Sequence, residues 1–194
     1  SRRQLYSVIY RKSLTSSDGT TIQLNRLLAP EHRPLIHFWW DESGTDHDYP
    51  DRISGIHLRE HECWKWRSHG ALRVPLHRVC PLPLFAPRTF NRQRVQRAIE
   101  SRGERVTAAH VVVYDETQSS HASDILAALD DPPFVVQLMD VLEAMPLDQR
   151  RYRNLRQLCR RARTVLCISP LLAEAVRSST GATTELLPVC ADPH

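Results

Sequence analysis

Short runs of consecutive apolar residues alternate along this chain with segments whose apolar positions recur every three or four residues. The first run, Leu5–Tyr10 (LYSVIY), is rich in β-branched and aromatic residues and predicts a strand. A turn and cap at Ser16-Ser17-Asp18-Gly19 leads into Thr20–Leu28, where Ile22, Leu24, Leu27 and Leu28 fall mostly at helical spacing. Pro34 introduces a strand over Leu35–Trp40, and the polar stretch Asp41–Asp51 separates it from a weaker strand over Ile53–Leu58. Pro75, Pro81, Pro83 and Pro87 fall within residues 63–90. Proline lacks an amide donor and blocks regular helix, so this stretch reads as a loop-rich excursion before a helix over about Thr89–Ser101. The second half is clearer: a buried strand over Ala108–Tyr114 (AAHVVVY), a short helix over Ala122–Leu129, a break at Asp131-Pro132-Pro133 and a strand over Phe134–Met139. A helix over Gln149–Arg163 carries Tyr152, Leu155, Leu158, Cys159 and Ala162 on one side. A strand over Thr164–Ile168, a proline-started helix over Pro170–Ser178 and a last strand over Thr184–Leu187 complete the order.

Continuous apolar strands separated by helices predict an α/β fold: a Rossmann-like, doubly wound, mainly parallel sheet with helices on both faces. Ligands of such sheets sit beyond the carboxyl ends of the strands. The segments of interest are therefore Arg11–Thr20, Asp41–Asp51, Asp115–His121, Asp140–Asp148 and Ser169–Pro170. A length of 194 residues supports one sizeable domain, and 41 % hydrophobic with 25 % charged residues excludes overall disorder. No stretch approaches the roughly 18 apolar residues of a membrane span.

The net charge of +4 comes almost wholly from arginine, since Lys12 and Lys65 are the only lysines. The planar guanidinium fork suits phosphate and carboxylate groups. Seven arginines (Arg150, Arg151, Arg153, Arg156, Arg160, Arg161 and Arg163) make one helix basic; its default reading is a solvated face, and attraction of an anionic membrane surface or of a phosphorylated acceptor is the functional alternative. The five cysteines are scattered and contain no CxxC pair, which reads as reduced thiols of a cytoplasmic protein.

Chemistry-bearing residues fall at the expected sheet edge. Asp115, Glu116 and His121 follow one central strand and Asp140 and Glu143 the next; their carboxylates suit orienting or deprotonating a hydroxyl. Ser169 precedes Pro170 and also fits a helix cap. Trp39 and Trp40 end a strand, where an aromatic ring can stack on a sugar or pack the core. His57-Leu58-Arg59-Glu60-His61 has the HxxEH spacing of zinc peptidases, which requires both histidines on one helical face, whereas His57 ends a strand-like run. Asp46-His47-Asp48 has the form of a DxD metal clamp but sits inside a polar loop. No GxGxxG follows the first strand, which argues against a nicotinamide enzyme.

The C-terminal third is more specific. FVVQLMDV at Phe134–Val141, a basic helix, ARTVLCIS at Ala162–Ser169, LLAEAVRSSTG at Leu171–Gly181 and ELLPVCAD at Glu185–Asp192 follow in order. In order and spacing they resemble the retaining GT-B-fold glycosyltransferases of the glycosyl transferase group 1 type. Those enzymes carry a strand ending in His-Asp, an AD-x-V-x-x-x-S strand, a helix and glycine, and a strand ending in Pro-Asn-Gly-Val-Asp. This chain departs at Met139, which cannot move a proton, at the first loop, where Gly19 replaces a glycine pair, and at Val189-Cys190-Ala191.

The resemblance implies that residues 1–194 are a single N-terminal, acceptor-side domain, with the C-terminal donor-binding domain absent and no transfer by this part alone. It implies a nucleotide-sugar donor held mainly by the missing domain, a carbohydrate or lipid-linked acceptor, no cofactor, no metal and no nucleic acid. The residues expected to act are Asp115, Glu116 and Asp140 in catalysis, with Ser17, Asp18, Gly19, Thr20, Trp40, Asp41, His121 and Ser169 in substrate binding. Two alternatives remain: a non-catalytic carbohydrate- or partner-binding module of the same fold, and, remotely, a zinc-dependent hydrolase using His57, Glu60 and His61.

Overall fold

A computed structural model describes residues 3–14, 19–29, 34–40, 53–58, 87–139, 147 and 152–187. The strands are β1 (Arg3–Ile9), β2 (Leu35–Trp39), β3 (Ile53–His57), β4 (Glu104–Val113), β5 (Phe134–Leu138), β6 (Val165–Cys167) and β7 (Thr184–Leu186). They form one sheet in the order β3-β2-β1-β4-β5-β6-β7, and each neighbouring pair is parallel. The helices are α1 (Gly19–Leu28), α2 (Pro87–Glu100), α3 (Glu116–Ala128), α4 (Arg153–Arg161) and α5 (Pro170–Thr180). The Rossmann-like α/β fold read from the sequence is the fold observed.

Several boundaries differ from the sequence reading, two of them with a structural reason. β4 starts at Glu104 rather than Ala108, because the alternating stretch before Ala108 pairs with Arg3–Leu5 across an irregularity at Leu5/Tyr6. α3 starts at Glu116 rather than Ala122, because Asp115 caps a first turn that has no apolar periodicity to betray it. Glu116 and His121 are therefore helical residues and not part of a loop. The proposed excursion over 63–90 lies outside the described residues up to Pro87, where α2 begins.

The two faces of the sheet are built differently. Leu5, Ile9, Ile36, Phe38, Val111, Val113, Val136 and Leu138 point to one face, where they join Val95 of α2, Ile125 and Leu126 of α3, Leu155 and Leu158 of α4, and Leu172 and Val176 of α5 in the main core. The opposite face carries a smaller cluster in which Val8, Tyr10, Leu35 and Val112 meet Leu24 and Leu28 of α1. His37, His110 and Gln137 are also buried. By the alternation of side chains along a strand, they share this second face with Leu35, Val112 and Met139. Cys159 and Cys167 are buried free thiols in the main core, and burial pushes them up to about 12 and about 11, leaving them unreactive.

Candidate functional site

From β1 the chain winds outward through β2 to β3, then returns to lay β4 against the other side of β1. The direction of winding thus reverses between β1 and β4. At such a switch point the connections leave in opposite directions and open a crevice at the carboxyl ends of the two strands.

The residues that follow β1 and β4 meet there. The Tyr10 and Tyr114 rings stack with centroids 6.4 Å apart, and their hydroxyls are 3.4 Å from each other. Thr20, in the first turn of α1, shares a short hydrogen bond with the Tyr114 hydroxyl. The Arg11 guanidinium lies over the Tyr114 ring, 5.5 Å from its centroid, and its buried Nε has no hydrogen-bond partner. Gly19 opens α1 with no neighbour within 4 Å of where a Cβ would stand, so neither packing nor its backbone conformation demands glycine. The crevice therefore combines a cation, the half-buried Tyr114 hydroxyl and the amide end of a helix, a set suited to an anionic, hydroxyl-bearing ligand.

The other sequence candidates occupy definite places. Both carboxylate oxygens of Asp115 are taken by Gln118: one accepts from its backbone amide at 2.8 Å, the other from its side-chain amide at 2.9 Å. Glu116 accepts from the amides of Asn154 and Leu155 at 2.8 and 2.9 Å, so it caps α4 from a neighbouring helix. That cap matters because Tyr152, at the head of α4, makes no side-chain capping bond. Trp40 is buried in the main core, with its ring against His121, centroids 5.4 Å apart. Ser169 caps α5, accepting from the Leu172 amide at 3.2 Å ahead of Pro170. His57 ends β3 with its ring 5.4 Å from that of Trp39. Ser17, Asp18, Asp41, Glu60, His61 and Asp140 lie outside the described residues. No group of three metal-ligating side chains occurs among the described residues.

Among the described sequence candidates, Gly19, Thr20 and Asp115 border the switch point. Arg11 falls in the segment Arg11–Thr20 expected at this edge, whereas Tyr10 and Tyr114, at the ends of apolar runs, read as core. Their signal was positional, since each directly follows a strand on either side of the reversal.

Behind the crevice runs a buried polar chain. His110 Nε2 and Gln137 Oε1 are 2.9 Å apart, and the Gln137 amide nitrogen donates toward Gln23 Oε1 at 3.3 Å and Met139 Sδ at 3.2 Å. Burial lowers the His110 pKa, partly opposed by the Gln137 hydrogen bond, and lowers that of His37 to about 3, so both imidazoles are neutral. An open groove of about 630 Å³ lies at the opposite, amino edge of the sheet, lined by Gln4, Gln96, Ile99, Thr107 and Leu129 among others. Size alone does not identify a site, and in an open parallel sheet the carboxyl edge is where strand ends deliver functional loops.

No family model matches the chain, and no curated protein matches it. Solved structures do. A sucrose-phosphate synthase from Thermosynechococcus elongatus superimposes with a TM-score of 0.56 at 16 % identity, over 97 % of this chain and 90 % of that one. OtsA in its apo form gives 0.54 at 14 % identity, over 100 % of this chain and 50 % of its own. The trehalose-6-phosphate synthase of E. coli bound with UDP-2-fluoro glucose gives 0.53 at 11 % identity, over 97 % and 49 %. The chain thus spans about half the length of the latter two. These structural neighbours are GT-B-fold glycosyltransferases, and what this chain demonstrably has in common with them is their Rossmann-like α/β fold.

Proposed function

We propose that the protein is the acceptor-binding half of a nucleotide-sugar-dependent glycosyltransferase, with the donor-binding wall supplied by protein outside this sequence. The observation that carries the reading is the Arg11–Tyr114–Thr20 constellation at the β1/β4 switch point, in a fold shared with synthases of phosphorylated sugars. In this reading the acceptor is a phosphorylated sugar. Arg11 neutralises phosphate charge, and the amides opening α1 at Gly19 and Thr20 donate to the phosphate oxygens. Tyr114, half-buried at the end of β4, meets a sugar hydroxyl, and the fully buried Tyr10 supports its ring. Transfer forms a bond from the acceptor oxygen to the anomeric carbon and breaks the bond from that carbon to the diphosphate, while the hydroxyl proton leaves to a base. Asp140 is the carboxylate we assign to that end of the sheet. Asp115 and Glu116 act as positioning residues through the helices they cap.

Calorimetric titration of the purified protein with glucose 6-phosphate tests this. Saturable binding is expected, weakened about tenfold or more by Arg11→Met, as for loss of a charged hydrogen bond. Absence of saturable binding, or equal binding by the variant, contradicts the reading.

A second reading, a binding module that keeps the fold without the chemistry, is favoured by one observation. Met139 stands where the resembling enzymes carry histidine, and its sulfur is held by Gln137 rather than offered to the crevice. Full-length protein that binds sugar phosphate and never releases UDP from UDP-glucose would select this alternative.

A further inference from the structure

The smaller face of the sheet holds a polar connection that the proposed chemistry does not use. Gln137 is fully buried on β5, between His110 on β4 and Gln23 on α1. Its amide orientation is fixed by its neighbours. The Met139 thioether can accept but not donate, so the NH2 group faces it, Gln23 turns its oxygen to the same group, and the Gln137 oxygen is turned to His110. His110 must then carry its hydrogen on Nε2 and donate it.

An amide and an imidazole at these positions need a reason. Val8 beside His110 and Val112 beside Gln137 on this face are apolar, and burying polar groups costs free energy unless every bond is made. The directionality of the bonds supplies one. Asn25 of α1 donates to the Leu14 carbonyl at 2.9 Å in the segment that follows β1, while Leu24 and Leu28 attach the helix to the sheet by apolar contact, which tolerates sliding along the helix axis. A hydrogen bond at Gln23 does not tolerate it. Gln23 lies one turn beyond Gly19 and Thr20, and Thr20 meets Tyr114 at the crevice.

We infer that Gln137 and His110 are positioning residues: they set the height of α1 on the sheet through Gln23, and with it the helix start that borders the switch-point crevice. The ligand consequence rests on the proposed function; the positioning itself does not.

The test replaces both polar partners with apolar groups of similar shape, His110→Phe with Gln137→Met, so that neither is left unsatisfied. Amide hydrogen exchange is measured at Leu24 and Asn25, whose hydrogen bonds close the first turns of α1, and at Ile125 and Leu126 in α3. The expected result is exchange faster by about tenfold in α1 with α3 unchanged, and glucose 6-phosphate binding weakened in parallel. Unchanged exchange in α1, or acceleration shared equally with α3, overturns the inference. Should the double variant not fold, Gln23→Leu on half-buried α1 makes the same cut, and Gln23→Glu, which keeps an acceptor for Gln137, restores protection. If Leu and Glu behave alike at this position, the inference fails. If the unmodified protein binds no glucose 6-phosphate, the proposed function fails and the exchange result alone decides the positioning claim.

Discussion

The two faces of the sheet solve different problems. On one, α2, α3, α4 and α5 lie over strands whose inward residues are almost entirely aliphatic or aromatic. On the other, a single described helix, α1, covers a smaller apolar cluster beside buried histidine, glutamine and tyrosine. The larger face buries most apolar surface and makes the larger contribution to stability. The smaller face is directional: its hydrogen bonds specify where one helix begins, and that helix opens onto the switch-point crevice. Stability and the proposed site are thus divided between the two sides of one sheet.

The division can be broken most forcefully at the larger face. Leu138→Ala removes a fully buried side chain from the main core and is expected to cost about 3 kcal/mol, read by urea denaturation. A loss under about 1 kcal/mol would mean that this face is less tightly packed than described.

The smaller face should respond to acid instead. His37 is buried and neutral with a pKa lowered to about 3, against 6.5 when unfolded. The unfolded chain therefore takes up the proton first. Stability is fully present above pH 6.5 and falls as pH drops from there toward about 3. Between pH 7 and pH 5 the loss from this residue is about 2 kcal/mol, and His37→Leu should flatten the profile over that window. A variant profile as steep as the parent's would assign the acid sensitivity elsewhere.

Smaller still is the cap linking two helices of the larger face. Glu116→Ala leaves the Asn154 and Leu155 amides without their acceptor and should cost about 1 kcal/mol in thermal or chemical denaturation. Sugar-phosphate binding should not change. A large loss of binding with little loss of stability would return Glu116 to the ligand.

Arg11→Met carries the smallest expected stability effect, about 0.5 kcal/mol, because it gives up the guanidinium contact with the Tyr114 ring while its Nε has no hydrogen bond to lose. A residue that adds little to the fold yet is needed for binding is what the division of faces predicts for the crevice.

Much of this architecture was legible in the sequence. The runs LYSVIY, LIHFWW, AAHVVVY and FVVQLM announced strands buried on both faces, and hence a parallel sheet. Less was legible where polar residues do structural work. The first turns of α3 carry no apolar periodicity, so Glu116–His121 read as loop. The pattern Asp115-Glu116-Thr117-Gln118 nevertheless has the spacing of a capping box, which accounts for the Asp115–Gln118 bonds. Glu116 as a cap for α4 was not legible, since its partners lie 38 and 39 residues away and meet it only after folding. The crevice was half legible: Gly19, Thr20 and Asp115 were named from their place after strands. Tyr10, Arg11 and Tyr114 become significant only once the strand order puts β1 beside β4. His110, Gln137 and Gln23 carried no local signal, because their connection crosses three elements.

The central claim is that ligand binds where β1 and β4 diverge. Backbone amide NMR during titration with glucose 6-phosphate tests it most directly. The account predicts saturable shifts concentrated at Arg11, Gly19, Thr20 and Tyr114, with Gln4, Gln96 and Thr107 at the opposite edge unmoved. Shifts confined to the amino-edge groove, or none at any concentration, would contradict it.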